Sequence, residues 1–150
     1  MAEAPRSRPE RRRDTEHRLA HDVDVWVASA SAGGAPYLVP LSFDWDGEAL
    51  LLATPSGSPT GRNLAATRAV RLALGPTRDV AMIEGDVEVL EMDGLSPERG
   101  DRFAARTGFD PRPLAGPYRW FRGVPRRIQA WREGEELAER DLMRDGRWLV

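Results

Sequence analysis

A chain of 150 residues, 41% hydrophobic and 31% charged, is long enough to bury one core and reads as a single globular domain. Its 22 basic residues are all arginine and are offset by 24 acids, giving a net charge of −2, so no global field draws nucleic acid or an anionic membrane and Schiff-base lysine chemistry is excluded. There is no cysteine, which removes disulfides, thiol catalysis and cysteine metal sites, and no apolar run approaches the ~20 residues of a membrane helix.

Residues 1–13 hold Pro5, Pro9 and five arginines with almost nothing apolar. Such a segment cannot offset its ordering entropy by burial, so a disordered Arg-rich tail is expected there, with the domain spanning 14–150. No aromatic residue interleaves the arginines to stack on bases, which argues against a nucleic-acid arm. No secretory leader is legible, and the expected location is cytoplasmic. Asp14 to about His21 reads as a short helix. His17 and His21 are four apart on it, but without HExxH or a third ligand they read as a solvated face, and no metal is expected.

The period then switches to two. Val23, Val25 and Val27 alternate with Asp24, Trp26 and Ala28 up to the turn Ala32-Gly-Gly-Ala-Pro36. Tyr37 to Trp45 alternates again, Asp46-Gly47 is a hairpin turn, and Ala49–Ala53 returns, which predicts a three-stranded meander. Pro40 lacks a ladder donor, so its strand must be an edge, carry a bulge, or lie where the sheet opens toward a ligand.

Ala53-Thr-Pro-Ser-Gly-Ser-Pro-Thr-Gly-Arg-Asn-Leu64 follows. It combines hydroxyls, backbone N–H groups, a helix start capped by Ser58 or Thr60, and Arg62. That set suits a phosphate, and the same stretch also reads as a plain connection with a solvated arginine. Ala69–Leu74 and Val80–Met92 are further strands. The acids Glu84, Asp86 and Glu88 share one strand face and read as solvated rather than catalytic. Ser96-Pro97-Glu98 starts a helix that runs to about Thr107 and stops at Gly108. Asp110–Pro117 is a proline-rich loop, Tyr118–Phe121 and Arg126–Trp131 are two strands, and Asp145–Val150 is a last turn with an apolar end. The fold class is mainly β with short α: about six antiparallel strands closing into a small barrel, with a sizeable ligand outside it or at a subunit boundary. There is no GxSxG, GxGxxG or GxxxxGK[ST], so hard chemistry here would fall to a cofactor.

Val27-Ala-Ser-Ala…Gly-Ala-Pro-Tyr-Leu-Val-Pro-Leu-Ser-Phe43, Asp46-Gly…Leu-Leu-Ala-Thr54, Ser58-Pro-Thr-Gly-Arg-Asn-Leu64, Val70-Arg-Leu-Ala-Leu74 and Ile83-Glu-Gly-Asp-Val87 occur in this order. Together with Tyr118-Arg-Trp-Phe-Arg…Pro-Arg-Arg-Ile-Gln-Ala-Trp131, they resemble the pyridoxamine 5′-phosphate oxidase-like superfamily of flavin- and deazaflavin-binding split barrels. The resemblance covers roughly Asp22 to Trp131. It implies a homodimer with FMN, or alternatively coenzyme F-420, in a groove at the subunit interface. It places Pro40, Leu41 and Ser42 under the flavin ring, and Thr54, Ser58, Thr60, Arg62 and Asn63 around the phosphate. Pro59 and Thr60 stand where many relatives carry a basic residue, which leaves Arg62 as the loop's only cation. No counterpart of the substrate-phosphate residues of pyridoxamine phosphate oxidation is visible. The readings are a flavin- or F-420-dependent oxidoreductase acting on a small molecule, a non-catalytic flavin or heme binder, and a dimeric scaffold with an empty groove.

Overall fold

The computed structural model describes residues 3–114 and 116–150. Among these, helices α1 (Arg8–His21), α2 (Pro59–Thr67) and α3 (Pro97–Thr107) accompany nine strands. The strands are β1 (Asp24–Ala30), β2 (Pro36–Ser42), β3 (Asp44–Trp45), β4 (Leu50–Pro55), β5 (Ala69–Leu74), β6 (Asp79–Leu90), β7 (Tyr118–Arg132), β8 (Asp141–Arg144) and β9 (Arg147–Trp148). All pairings are antiparallel, in the order β2-β1-β5-β6-β7-β4-β3, with β8 and β9 branching from β7.

The two ends of that path, β2 and β3, are separated in the chain by Phe43 alone. The sheet must therefore curl until its edges meet, and Phe43 is fully buried at the corner. This is the expected mainly-β split barrel. The predicted meander needs correction: β1 pairs β2 and β3 pairs β4, but β4 pairs β7 instead of β2. The two hairpins lie at opposite edges because the backbone turns at Phe43, where the alternating sequence showed an unbroken run.

Alternation sets the faces. Val25 and Val27 of β1 are buried while Asp24 and Trp26 are exposed. β4 is buried on both faces: Leu50 and Leu52 join the barrel core, and Leu51 and Ala53 pack with Leu95, Phe103 and Trp120 beneath α3. The two strands expected at Tyr118–Phe121 and Arg126–Trp131 are one strand, β7, that passes through Pro125. Pro125 is tolerated because the register slips there between Glu84 and Gly85 of β6. The C-terminal turn is a hairpin, β8–β9.

Helix α1 starts at Arg8, six residues before the sequence placed it, under a Ser7–Glu10 capping box. The expected tail over residues 1–13 is thus corrected where the structure describes it; Met1 and Ala2 lie outside the described residues. The arginines are ordered by partners far along the chain. Arg6 pairs with Glu136 (2.8 Å), Asp79 (3.0 Å) and Asp14 (2.9 Å), and buried Arg11 donates to the carbonyls of Ala130 and Glu136. No helix among the described residues is long and apolar enough to cross a membrane.

Candidate functional site

The sheet is open between β2 and β4, and the site lies in that opening. Phe43 N–H donates to Val23 O and Ser31 N–H to Ala35 O, which fixes the phase of the β1–β2 ladder. Odd-numbered residues of β2 bond to β1. Even-numbered ones, Pro36, Pro40 and Ser42 among them, turn their backbone groups to the free edge. Pro40 therefore sits on an edge strand, as its missing donor requires, and the Ser42 N–H and the Pro40 carbonyl face the opening.

A groove of about 300 Å³ occupies it. Pro40, Leu41 and Ser42 form one side and Ala53, Thr54 and Pro55 the other, with Phe103, Phe109 and Tyr118 closing it. The Phe109 and Tyr118 rings lie 5.9 Å apart, tilted by 50°. None of these nine side chains is charged. The Ser42 hydroxyl donates to Asp24 (2.8 Å), and the Thr54 and Ser58 hydroxyls share a hydrogen bond of 3.2 Å.

That last bond links the groove to the start of α2. Ser58 caps the helix, accepting from Gly61 N–H at 3.0 Å and donating to Pro55 O at 2.8 Å, with Pro59 in the first turn. Gly61 is demanded by packing, since a Cβ there would lie 2.2 Å from Pro55 O. The loop spends most of its donors on itself. Ser56 N–H goes to Pro117 O, Ser58 N–H to Pro55 O, and the Arg62 guanidinium to Gly57 O. Thr60 is buried, and its Oγ1 has no hydrogen-bond partner among the described residues. Asn63 is buried too and donates to Ser29 Oγ at 3.1 Å. Of the eight residues singled out in sequence, then, Pro40, Leu41, Ser42 and Thr54 line one groove and Ser58 adjoins it. Thr60 and Asn63 turn inward, and Arg62 stays at the exposed rim of the loop.

Helix α3 is set over the groove by charge. Arg99 pairs with Asp46 (2.7 Å), and Arg102 and Arg106 pair with Asp44 (3.0 and 3.4 Å). Burial alone would raise the Asp46 carboxyl, but the Glu48 and Ala49 N–H groups and Arg122 outweigh it and hold it below the usual range. The helix ends where Gly108 adopts φ 73°, as expected from sequence, and this turns the chain so that Phe109 enters the groove. Sequence reasoning missed Phe103, Phe109 and Tyr118. The legible signal was an aromatic residue at each end of the proline-rich loop.

Besides a hollow of about 430 Å³ bordered by Ala28, Ser29, Thr67 and Arg71, two larger ones of about 670 Å³ each lie elsewhere. Their walls are mainly arginines and carboxylates, Arg78, Arg132 and Glu133 in one and Arg127, Arg140 and Asp141 in the other, which marks them as charged surface clefts. The three acids that alternate along β6 are each paired with an arginine of a neighbouring strand: Glu84 with Arg71, Asp86 with Arg126, and Glu88 with Arg122.

No curated protein is significantly similar to the chain. Solved structures share its fold. An F420 reductase superposes with TM-score 0.59 at 20% identity, over 75% of this chain and 94% of its own. PhzG from Burkholderia lata 383, solved with tetrahydrophenazine-1-carboxylic acid, gives 0.59 at 19% identity over 86% and 80%. HutZ, a heme storage protein from Vibrio cholerae, gives 0.59 at 16% over 82% and 93%. The family model for pyridoxamine 5′-phosphate oxidase matches residues 17–132, which span the whole barrel from the end of α1 to the end of β7. The chain belongs to the pyridoxamine 5′-phosphate oxidase family.

Proposed function

We propose that the chain is a homodimeric oxidoreductase that holds FMN, or the related deazaflavin F-420, with the ring system along the β2 side of the β2–β4 groove, and acts on a small molecule. The observation that carries this reading is the groove itself: an uncharged, partly aromatic slot one side of which is the unpaired edge of β2. A flat heteroaromatic ring is satisfied there by apolar contact plus the free Ser42 N–H and Pro40 carbonyl. The bound ring supplies hydride or electron transfer, for which the chain's own side chains offer no substitute. The residues fit the ring better than the phosphate. Among the described residues Arg62 is the one cation beside the α2 start, and of the other loop donors the Ser56, Ser58 and Gly61 N–H groups and the Ser58 hydroxyl are already engaged, while the Thr60 hydroxyl is not. Likeness to an F420 reductase supports a redox role.

Dimerisation is supported by the outer face of β1 and β2. Trp26 is 51% exposed and Leu38 60% exposed, and the register sets Trp26 between Pro40 and Ala73. The other four tryptophans are buried or partly buried, so Trp26 is the one that a partner would cover. Pro40 belongs both to this face and to the groove, so a second copy seated here also borders the ligand.

The test is spectroscopic titration of purified protein with FMN and F-420 side by side. Saturable binding of either, with a perturbed ring absorption band, is the expected result. Absence of binding by both sinks the proposal.

A further inference from the structure

We infer that the substrate class of this site is neutral, flat and apolar, stacked against the Phe109–Tyr118 pair, and that anionic substrates are rejected. This rests on the reading of the β2–β4 groove as the redox site. The groove wall remote from β2 is aromatic, made by rings on either side of the Asp110–Pro117 loop. Arg62 is assigned to the cofactor's phosphate, and the cations nearest the aromatic wall are committed elsewhere. The three arginines of α3 are turned to Asp44 and Asp46, so what α3 gives the groove is Phe103. Arg112 of the loop is held by Asp101 and Asp110 (2.8 and 2.9 Å), and Arg119, next to Tyr118, pairs with Glu91 (2.9 Å). A carboxylate or phosphate entering the slot would be desolvated without a counter-charge, which apolar sites penalise heavily. Two of the slot's three polar side chains, Ser42 and Thr54, already hold partners, and the Tyr118 phenol remains as the polar handle. A neutral ring with one carbonyl or hydroxyl, stacked on the aromatic pair, meets these conditions.

The experiment uses two probes that share one ring, 2-naphthol, which is neutral at neutral pH, and 2-naphthalenesulfonate, which is anionic. Each is titrated calorimetrically into the purified full chain, with and without saturating FMN. The expected result is that 2-naphthol binds at least about tenfold more tightly than the sulfonate. Phe109→Leu and Tyr118→Leu should each weaken 2-naphthol severalfold, whereas Tyr118→Phe keeps the stacking and loses only the contribution of the hydroxyl. Equal or tighter binding of the sulfonate, or indifference to the Leu variants, overturns the inference. The comparison of probes on the wild-type chain needs no variant to fold. Flavin binding without probe discrimination overturns this inference alone, and probe discrimination without flavin or deazaflavin binding overturns the proposed cofactor alone.

Discussion

The α-carbon of Gly61 lies so close beneath the carbonyl of Pro55 that a methyl group placed on it would sit 2.2 Å from the oxygen. The first turn of α2 and the end of β4 are therefore pressed together, backbone on backbone, and this contact holds the loop that links groove to helix. Neither partner can yield cheaply, because both are main chain. Gly61→Ala is expected to destabilise the fold by about 1–3 kcal/mol, as overpacking does, and to weaken ligand binding in the groove. Gly57→Ala, four residues earlier, meets open space and should be close to neutral. Thermal melts of the two variants side by side decide this; equal melting temperatures would remove Gly61 as the determinant of the loop.

Arg62 carries the ligand's phosphate in the proposed site. Arg62→Ala should cost about 1.5–3 kcal/mol of FMN affinity, roughly tenfold or more, and leave riboflavin nearly unaffected. Fold stability should barely move, since the side chain is exposed. Parallel titrations with FMN and riboflavin check it. Equal weakening of both would mean that Arg62 shapes the loop through its bond to Gly57 instead.

Arg6 and Glu136 form a pair with side chains 9% and 1% exposed. Removing one partner of so buried a pair leaves an uncompensated charge, so Arg6→Ala is expected to cost about 3–5 kcal/mol, and deletion of residues 1–13, which also removes Arg11, at least as much. Urea unfolding of the variant and the truncated chain measures both. A truncated chain as stable as the full one would return the segment to the status of a dispensable tail.

The same pair sets an acid limit. Burial alone would raise the Glu136 carboxyl, but hydrogen bonds from the Arg6 side chain and from the Arg6 and Arg132 N–H groups bring it down from the usual 4.5 to about 2. A carboxyl depressed in the folded state adds stability that is fully present above pH 4.5 and is lost as pH falls toward 2. Asp141, lowered to about 2 by bonds from Arg144, Gln129 and Arg127 against burial, acts in the same window. Unfolding midpoints should be flat from neutral pH to about 5 and then drop, and Glu136→Gln should be less stable at neutral pH with a shallower acid limb. An unchanged acid limb in that variant would remove Glu136 from the account.

Trp26→Glu should convert the proposed dimer to a monomer, because it puts a charge into the centre of the β1–β2 face. Light scattering at micromolar concentration reads this directly. A wild-type monomer mass would refute the interface.

What local rules govern was readable in the sequence. Ser58 and Ser96 cap helices, Gly108 ends one, Asp46-Gly47 turns a hairpin, and Pro40 marks an edge. Four of the nine groove residues, Pro40 to Ser42 and Thr54, followed from the family resemblance. Long-range pairing was not readable. Nothing in the alternation from Tyr37 to Trp45 shows that the strand breaks at Phe43 and that its halves go to opposite edges. The burial of Arg6 depends on Glu136, 130 residues away, and a local count of charges sees only a solvated tail. Phe109 and Tyr118 meet because Gly108 and the proline-rich loop fold back, a tertiary event with only punctuation as its trace.

The phase of β2 has a consequence for aggregation. Open sheet edges recruit stray strands by offering rows of unpaired N–H and C=O groups. On the main path one edge is β3, only two residues long, as is β9 at the end of the branch from β7. The other is β2, whose outward-facing positions are 36, 38, 40 and 42, and Pro36 and Pro40 remove half of the donors. A passing extended peptide finds no continuous ladder at either margin. Copies of this chain are thereby steered away from edge-to-edge polymerisation, which has no natural end, in keeping with the proposed pairing through a sheet face, where symmetry would close after two.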